Sequence, residues 1–407
     1  MSTKLKVTIL ATSLAIVLFT IAGNFVKVRA SSTDGAYRQI QVYSEVMLHI
    51  HNDYVEEPNV ALVTDGALHG LLEALDANSS YLTADEYKHY KSVKPEGKAD
   101  IGATVSKRFG YADVVAVIPG GPADKAGVEN SDIFESIEGK STHDMSLAEI
   151  RSDLLGEPGS TVTVSVVRSR RAEPQKIVIT RDTVTIPPAT EKMLADDVGY
   201  VKTDALTAGM SQEIASKIRD LQKQGARKLV LDLRNCAAGD EAEGIAAANL
   251  FLDHGTITYL QGQKYPRNAF NADPAKDITK LPVAVLVNHS TAGPAEIVAA
   301  ALLENARGDV IGEKTFGDGS IQKLIELPDS AALLLSVAKY YSPSGKAIQD
   351  NGVTPNVLST DGDEDSALPD DEIPSVPDDQ ATPPKTQQDD QLNKALDILK
   401  NRGGSKS

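Results

Sequence analysis

Along this chain the spacing of apolar residues changes character four times. From Gly35 to about Lys94 it is helical: Ile40, Val42, Val46, Leu48 and Ile50 come first, and Ala61 to Leu75 then keeps a period near 3.6 until Asn78-Ser-Ser80 interrupts it. From about 98 to 184, short alternating runs such as Ala112 to Ile118 and Ser160 to Arg168 lie between Gly/Pro turns and predict strands. Helices fit Pro122 to Ala126 and Ser146 to Leu155 within that stretch. From 186 to 358 strands and helices alternate, which predicts an α/β core with strands near 198–202, 228–234, 283–288 and 333–337 and helices near 210–224, 240–252 and 294–305. After Ser359 the composition turns to Asp, Glu, Pro, Gln and Ser, too apolar-poor to offset the entropy of ordering, so disorder is expected to about Gln388. Leu392 to Lys400 then has i, i+3, i+4 apolar spacing and predicts a short amphipathic helix that docks either on the core or on a partner.

A chain of 407 residues exceeds the usual single-domain size, so two or three domains are expected. The net charge is −16 and dense Lys/Arg runs are confined to pieces such as Arg168-Ser-Arg-Arg171, which argues against nucleic acid as a partner. Lys4 and Lys6 precede an uncharged apolar run from Val7 to Gly23, followed by Lys27 and Arg29. That order predicts an export signal or a membrane anchor, and hence an extracytoplasmic protein of the periplasm or cell envelope. As a helix the run would be roughly 25 Å long, slightly short of a bilayer core. A lone Cys236 permits no intrachain disulfide and is expected to be a packed thiol.

Two motifs lie within the α/β region. Val285-Leu-Val-Asn-His-Ser-Thr-Ala-Gly-Pro-Ala-Glu-Ile297 is followed by Thr315-Phe-Gly-Asp-Gly-Ser-Ile-Gln322. Together they resemble the core of the carboxyl-terminal processing proteases, S41-type Ser-Lys hydrolases whose motifs read roughly V-N-x-x-S-A-S-A-S-E-I and T-F-G-K-G-x-V-Q. The segment Val63 to Leu82 is similar to the helical entry region of that family, with Asn78 where the family has a histidine. Gly121-Pro-Ala-Asp-Lys-Ala-Gly127 and Ser131 to Gly139 resemble a PDZ domain, whose carboxylate-binding loop maps onto Asp100-Ile101-Gly102-Ala103. The resemblance covers roughly residues 40 to 358 plus the terminal helix. It implies a multidomain α/β fold: a ClpP/crotonase-like protease core with an inserted PDZ domain and an N-terminal helical region. The expected divisions are 1–30 signal or anchor, 31–97 helical region, 98–185 PDZ, 186–358 core, 359–388 linker and 389–407 helix and tail.

The resemblance also implies a loss. The family's nucleophile position is Gly293 and its base position is Asp318, while Gln322 matches the glutamine that orients the lysine. A Ser-Lys hydrolase needs a hydroxyl, a lysine held neutral by burial and N–H donors for the oxyanion. Gly293 offers no oxygen, and Asp318 would place negative charge beside a developing oxyanion. The family's R-N-N-P-G-G turn is here Arg234-Asn-Cys-Ala-Ala238-Gly239, so Ala238 and Gly239 are the oxyanion-equivalent residues. Ser290 or Thr291 with Lys314 or Lys323 is an alternative, shifted dyad, and Asp318 with Asp240 or Glu243 activating a water is another. The scattered histidines suggest no metal site, since His49 and His51 would point to different helix faces, and no cofactor is expected. Gly317 and Gly319 lack the glycine-lysine-hydroxyl ending of a phosphate loop.

The expected role is that of a pseudoprotease which binds carboxyl termini or unfolded, extended polypeptides through Ile101, Gly102, Ala103 and a core groove. It would act as an adaptor or a regulator, as a homo-oligomer or with an active relative, at the membrane held by its N-terminal segment. Two other roles stay open: an active processing peptidase with relocated groups, and a structural envelope protein whose PDZ domain serves packing.

Overall fold

The computed structural model describes residues 37–93, 99–168, 173–360 and 389–403. The expected signal or anchor and most of the acidic linker lie outside these residues. Among the described residues no helix is long and apolar enough to cross a membrane.

The chain divides into two compact units after Leu68. The first holds a helix over 37–53, in which His49 Nδ1 pairs with Asp53 at 2.6 Å, and the opening of the helix Val60–Glu73. Ile40, Val46 and Leu48, whose spacing predicted the first helix, are exposed.

In the second unit the α/β core is a six-stranded sheet in the order Val357–Leu358, Gly308–Gly312, Val283–Val287, Lys228–Asp232, Val198–Lys202 and Thr190–Leu194. All neighbours are parallel except the last pair. Strict alternation sorts the side chains between two faces, as strand geometry requires. Val283, Val285 and Val287 join Leu229 and Leu231 against Ile214, Ile218 and Val298 of the helices Met210–Lys223 and Pro294–Glu304. Ala284, Leu286 and Val230 face the opposite way, onto Ala395 and Leu399 of the terminal helix Asp390–Gly403. That helix therefore docks on the core, and it explains why the central strands are apolar throughout rather than on alternate positions.

The terminal helix is also tied by charge. Arg234 reaches Asp232 Oδ2 at 2.6 Å and Asp389 Oδ2 at 2.8 Å, and Tyr200 donates its hydroxyl to Asp232 Oδ2 at 2.7 Å. Burial disfavours charge on Arg234, but the bonds to the two carboxylates outweigh it and hold the guanidinium above its ordinary pKa.

A second, antiparallel sheet runs in the order Ser80–Leu82, Ala332–Tyr341, Thr256–Gln261, Asn268–Asn271, with Ser320–Glu326 also pairing the long strand Ala332–Tyr341. Apolar periodicity foresaw only the middle of that long strand. The others are short or carry polar residues on both faces, so they read poorly from pattern.

From residue 103 to residue 180, five strands form an antiparallel sheet in the order Ala103–Arg108, Tyr111–Val117, Ile133–Ile137, Thr161–Val167, Gln175–Thr180, with Lys140–Ser141 paired to Ile133–Ile137. The helix Leu147–Leu154 is capped by the Ser146 hydroxyl, which accepts from Glu149 N, and packs Ile150 and Leu154 into this domain's core beside Phe134 and Val164. The strand Ala103–Arg108 ends the sheet, so one of its edges faces the helix rather than another strand. This is the arrangement a strand-adding peptide groove requires.

Replacing Arg234 by methionine would leave the fully buried Asp232 without its cation. We expect a loss of about 3–5 kcal/mol and faster hydrogen exchange across 390–400, measured by denaturant titration and exchange mass spectrometry. Unchanged protection there would show that apolar packing alone holds the terminal helix.

Candidate active site

Gly293 stands between the strand Val283–Val287 and the helix Pro294–Glu304, with φ 58° and ψ −122°. A residue with a side chain would be strained in this conformation. Space is not the obstacle. A β-carbon built there would lie 3.8 Å from the Ala237 carbonyl oxygen and 4.0 Å from that of Asp318. The fold thus brings positions 293 and 318 and the 237–239 turn together, as the motifs implied, and leaves room for the side chain that glycine lacks.

A residue that the motif carries but sequence reasoning passed over holds this assembly. Glu296 is wholly buried. Its Oε2 accepts from the N–H of Gly293 at 2.9 Å and of Asp318 at 2.8 Å, and its Oε1 accepts from Gly317 N at 2.8 Å and from the Thr315 hydroxyl. One carboxyl therefore fixes both motif turns. Burial pushes it up to about 8, helped by the Asp318 charge, against the lowering effect of its hydrogen bonds. A glutamate in the first turn of a helix is a common capping residue, and only its distant partners reveal the second task.

Asp318 is half-buried, and its Oδ1 accepts from the Asn78 amide at 3.3 Å. Asn78 donates also to Ser320 Oγ at 3.1 Å, so the position where the family has a histidine does reach this centre. Gln322 donates to Ser320 Oγ at 2.8 Å and Ser336 Oγ at 3.3 Å, which places it in the same polar chain, one hydroxyl removed from Asn78.

The oxyanion-equivalent pair Ala238–Gly239 forms a short parallel bridge with Ala205–Leu206. Gly239 has φ 136°, and a β-carbon there would sit 2.2 Å from the Leu206 carbonyl oxygen, so this position is closed to any side chain.

The alternative groups are placed as follows. Thr291 is buried; its hydroxyl donates to the Leu233 carbonyl at 2.9 Å and accepts from Asn288 N at 3.0 Å, a structural role in the turn. Ser290 is buried beside it, while Lys314 and Lys323 are exposed. Glu243 accepts from Gly209 N and Ser211 N at the start of the helix Met210–Lys223, and Asp240 precedes the helix Glu241–Asn249. Burial pushes the Cys236 thiol up, away from reactivity. Among the described residues no group of His, Cys, Asp and Glu side chains is arranged to hold a metal ion.

The strand-edge domain leans on this centre. Val115 and Ala116 pack with Ala237, Ala292 and Phe316, and Arg108 lies 2.8 Å from His289 Nε2. A cavity of about 890 Å³ runs beside it, lined by Asp100, Ala103, Val105 and Arg151 of that domain and by Asn78 and Gln322 of the polar chain. The groove and the ends of the polar chain thus line one cavity.

Fold and site together define a class: an α/β serine-peptidase scaffold carrying a peptide-binding domain. The family model for peptidase family S41 matches residues 197–359, and a PDZ-domain model matches 114–168. The carboxy-terminal-processing protease of Bartonella bacilliformis is 30% identical over 358 residues, covering 84% of this chain and 82% of that protein. The carboxyl-terminal-processing protease of Picosynechococcus is 35% identical over 277 residues, 66% of this chain and 67% of that one. Among solved structures, a photosystem II D1 C-terminal processing protease superposes with a TM-score of 0.64 at 26% identity, covering 79% of this chain and 92% of that one. The chain belongs to the carboxyl-terminal processing proteases of peptidase family S41.

Removing the Glu296 carboxyl by substitution with alanine would strand three backbone N–H groups and a hydroxyl. We expect a loss of about 2–3 kcal/mol. Because the folded-state carboxyl is raised from 4.5 to about 8, its proton is held in the folded protein where the unfolded chain has released it. Its contribution to stability is therefore full below about pH 4.5 and declines as pH rises through about 8. Melting curves from pH 5 to 9 should show that decline in the native chain and a shallower one in Glu296→Gln.

Proposed function

We propose that this chain is a non-cutting member of its family, which holds extended polypeptide in the PDZ groove and the adjoining core and works as an adaptor or regulator in the cell envelope. The observation that carries this reading is Gly293 itself. The turn keeps the strained backbone and the open space of a nucleophile position, yet no side-chain oxygen is there to form an acyl-enzyme. At position 318 an acid, bound by Asn78, stands where a neutral amine would have to take the proton. Loss of either group in a unit of this kind costs several orders of magnitude in rate. The partners we assign are protein carboxyl termini or unfolded chains, together with an active relative or a second copy. The apolar N-terminal run would place the protein at the outer side of a membrane.

The relatives are named as proteases, which favours a second reading: a cutting enzyme with relocated groups. Ser290, buried in the turn three residues before Gly293, is its best candidate, because Thr291 already spends its hydroxyl on the backbone.

Cleavage of an unstructured protein with an apolar carboxyl terminus would be compared for the native chain and the Gly293→Ser/Asp318→Lys double variant. We expect no turnover by the native chain and measurable turnover by the variant, with about 1–3 kcal/mol of stability lost to the serine's strained backbone. Cutting by the native chain that disappears in Ser290→Ala would overturn the proposal in favour of the second reading.

A further inference from the structure

The loop expected to receive a chain-terminal carboxylate already holds one. Asp100 Oδ1 accepts from the Ile101 N–H at 2.6 Å, and the Gly102 N–H lies close enough to favour the charged form of the Asp100 carboxyl. These are two of the backbone donors that such a loop would turn toward the end of a bound peptide. Neither is pointed at open space. Gly102 has φ 75°, and its carbonyl accepts from Ile118 N at 2.9 Å, while the Ile101 carbonyl accepts from Ala123 N at 2.7 Å. The loop is thus pinned on its carbonyl side, with its N–H groups turned to the Asp100 side chain.

Asp100 also lines the 890 Å³ cavity, so its charge faces the space a peptide would enter. A second carboxylate arriving there would meet like charge in a partly desolvated site, and the donors it needs would be occupied. Burial already raises the pKa of Asp100 above its ordinary value. The cations on the cavity wall are engaged elsewhere. Arg151 gives Nε and Nη2 to the Val105 carbonyl at 3.2 and 3.1 Å, and Lys91 lies over the Tyr87 ring at 3.9 Å. Arg181 contributes a distant favourable charge, but its guanidinium donates to the carbonyls of Leu154, Thr161 and Asp153 and to the Ser160 hydroxyl.

We infer that Asp100 is a specificity-determining residue which fills the carboxylate loop from within, so that the groove takes an internal, extended stretch of polypeptide and turns away a free chain terminus. The inference rests on the groove-binding role proposed above and narrows its partner class. The free edge of Ala103–Arg108 remains able to pair with a passing strand once Arg151 releases Val105, since strand addition needs main-chain donors and acceptors but no terminus.

The test measures binding of one fluorescent, apolar-ended peptide, made as the free acid and as the C-terminal amide, to the full chain and to its Asp100→Asn and Asp100→Gly variants. For the native chain we expect the amide to bind at least about tenfold more tightly than the acid. Asp100→Gly should free the loop donors and raise affinity for the acid until it equals or passes that for the amide. Asp100→Asn, which keeps an oxygen in place without charge and is the gentler change for folding, should narrow the gap. Equal or tighter binding of the acid by the native chain overturns the inference while leaving groove binding intact. A gap that neither substitution changes overturns it too. Binding of neither form to any of the three proteins overturns the groove-binding role itself, and the inference with it.

Discussion

The carboxyl of Glu296 is the constraint on which the arrangement of the centre depends. Without solvent it must find partners within the protein, and it finds four on two turns more than twenty residues apart in sequence. By meeting that requirement it draws the start of the helix Pro294–Glu304 against the Thr315–Asp318 turn. The Glu296 carboxyl thereby holds Gly293 and Asp318 in register through their backbone N–H groups, whatever side chains those positions carry. A glycine at 293 carries no side-chain oxygen and is spared the backbone strain that a serine there would meet.

Around this clamp the architecture divides labour by solvent access. The six-stranded sheet is covered on one face by the helices Met210–Lys223 and Pro294–Glu304 and on the other by the terminal helix, so its central strands can be apolar without interruption. Beside the second sheet a polar chain runs from Asn78 through Ser320 to Gln322 and Ser336, and its Asn78 and Gln322 line the cavity. The PDZ strand Tyr111–Val117 packs Val115 and Ala116 on the turn around Ala237 and Ala292.

Charge gives the groove its character. Asp100 stands in the loop that opens the strand Ala103–Arg108, and Asp318 in the turn held by Glu296. Each spends its oxygens locally, Asp100 on the loop N–H groups and Asp318 on Asn78. Both carboxyls engage their surroundings through charge and hydrogen bonds rather than through apolar packing.

Much of this was legible in the chain. Period-two and period-3.6 patterns located the helices Met210–Lys223, Glu241–Asn249 and Pro294–Glu304 and the strands Val198–Lys202, Lys228–Asp232 and Val283–Val287 to within about three residues, because burial of a strand or helix face is a local constraint on residue type. The motif around Gly293 and the turn at Asp318 identified the family, since many residues of such a motif must be of particular chemical types whatever surrounds them. Pattern alone did not reveal what each polar side chain spends its hydrogen bonds on. That Glu296 joins two turns, that Thr291 is consumed by the Leu233 carbonyl, that Asn78 reaches Asp318, and that Asp100 occupies its own loop are all decided by residues brought close through tertiary packing. Side-chain satisfaction depends on distance in space, and sequence records only distance along the chain.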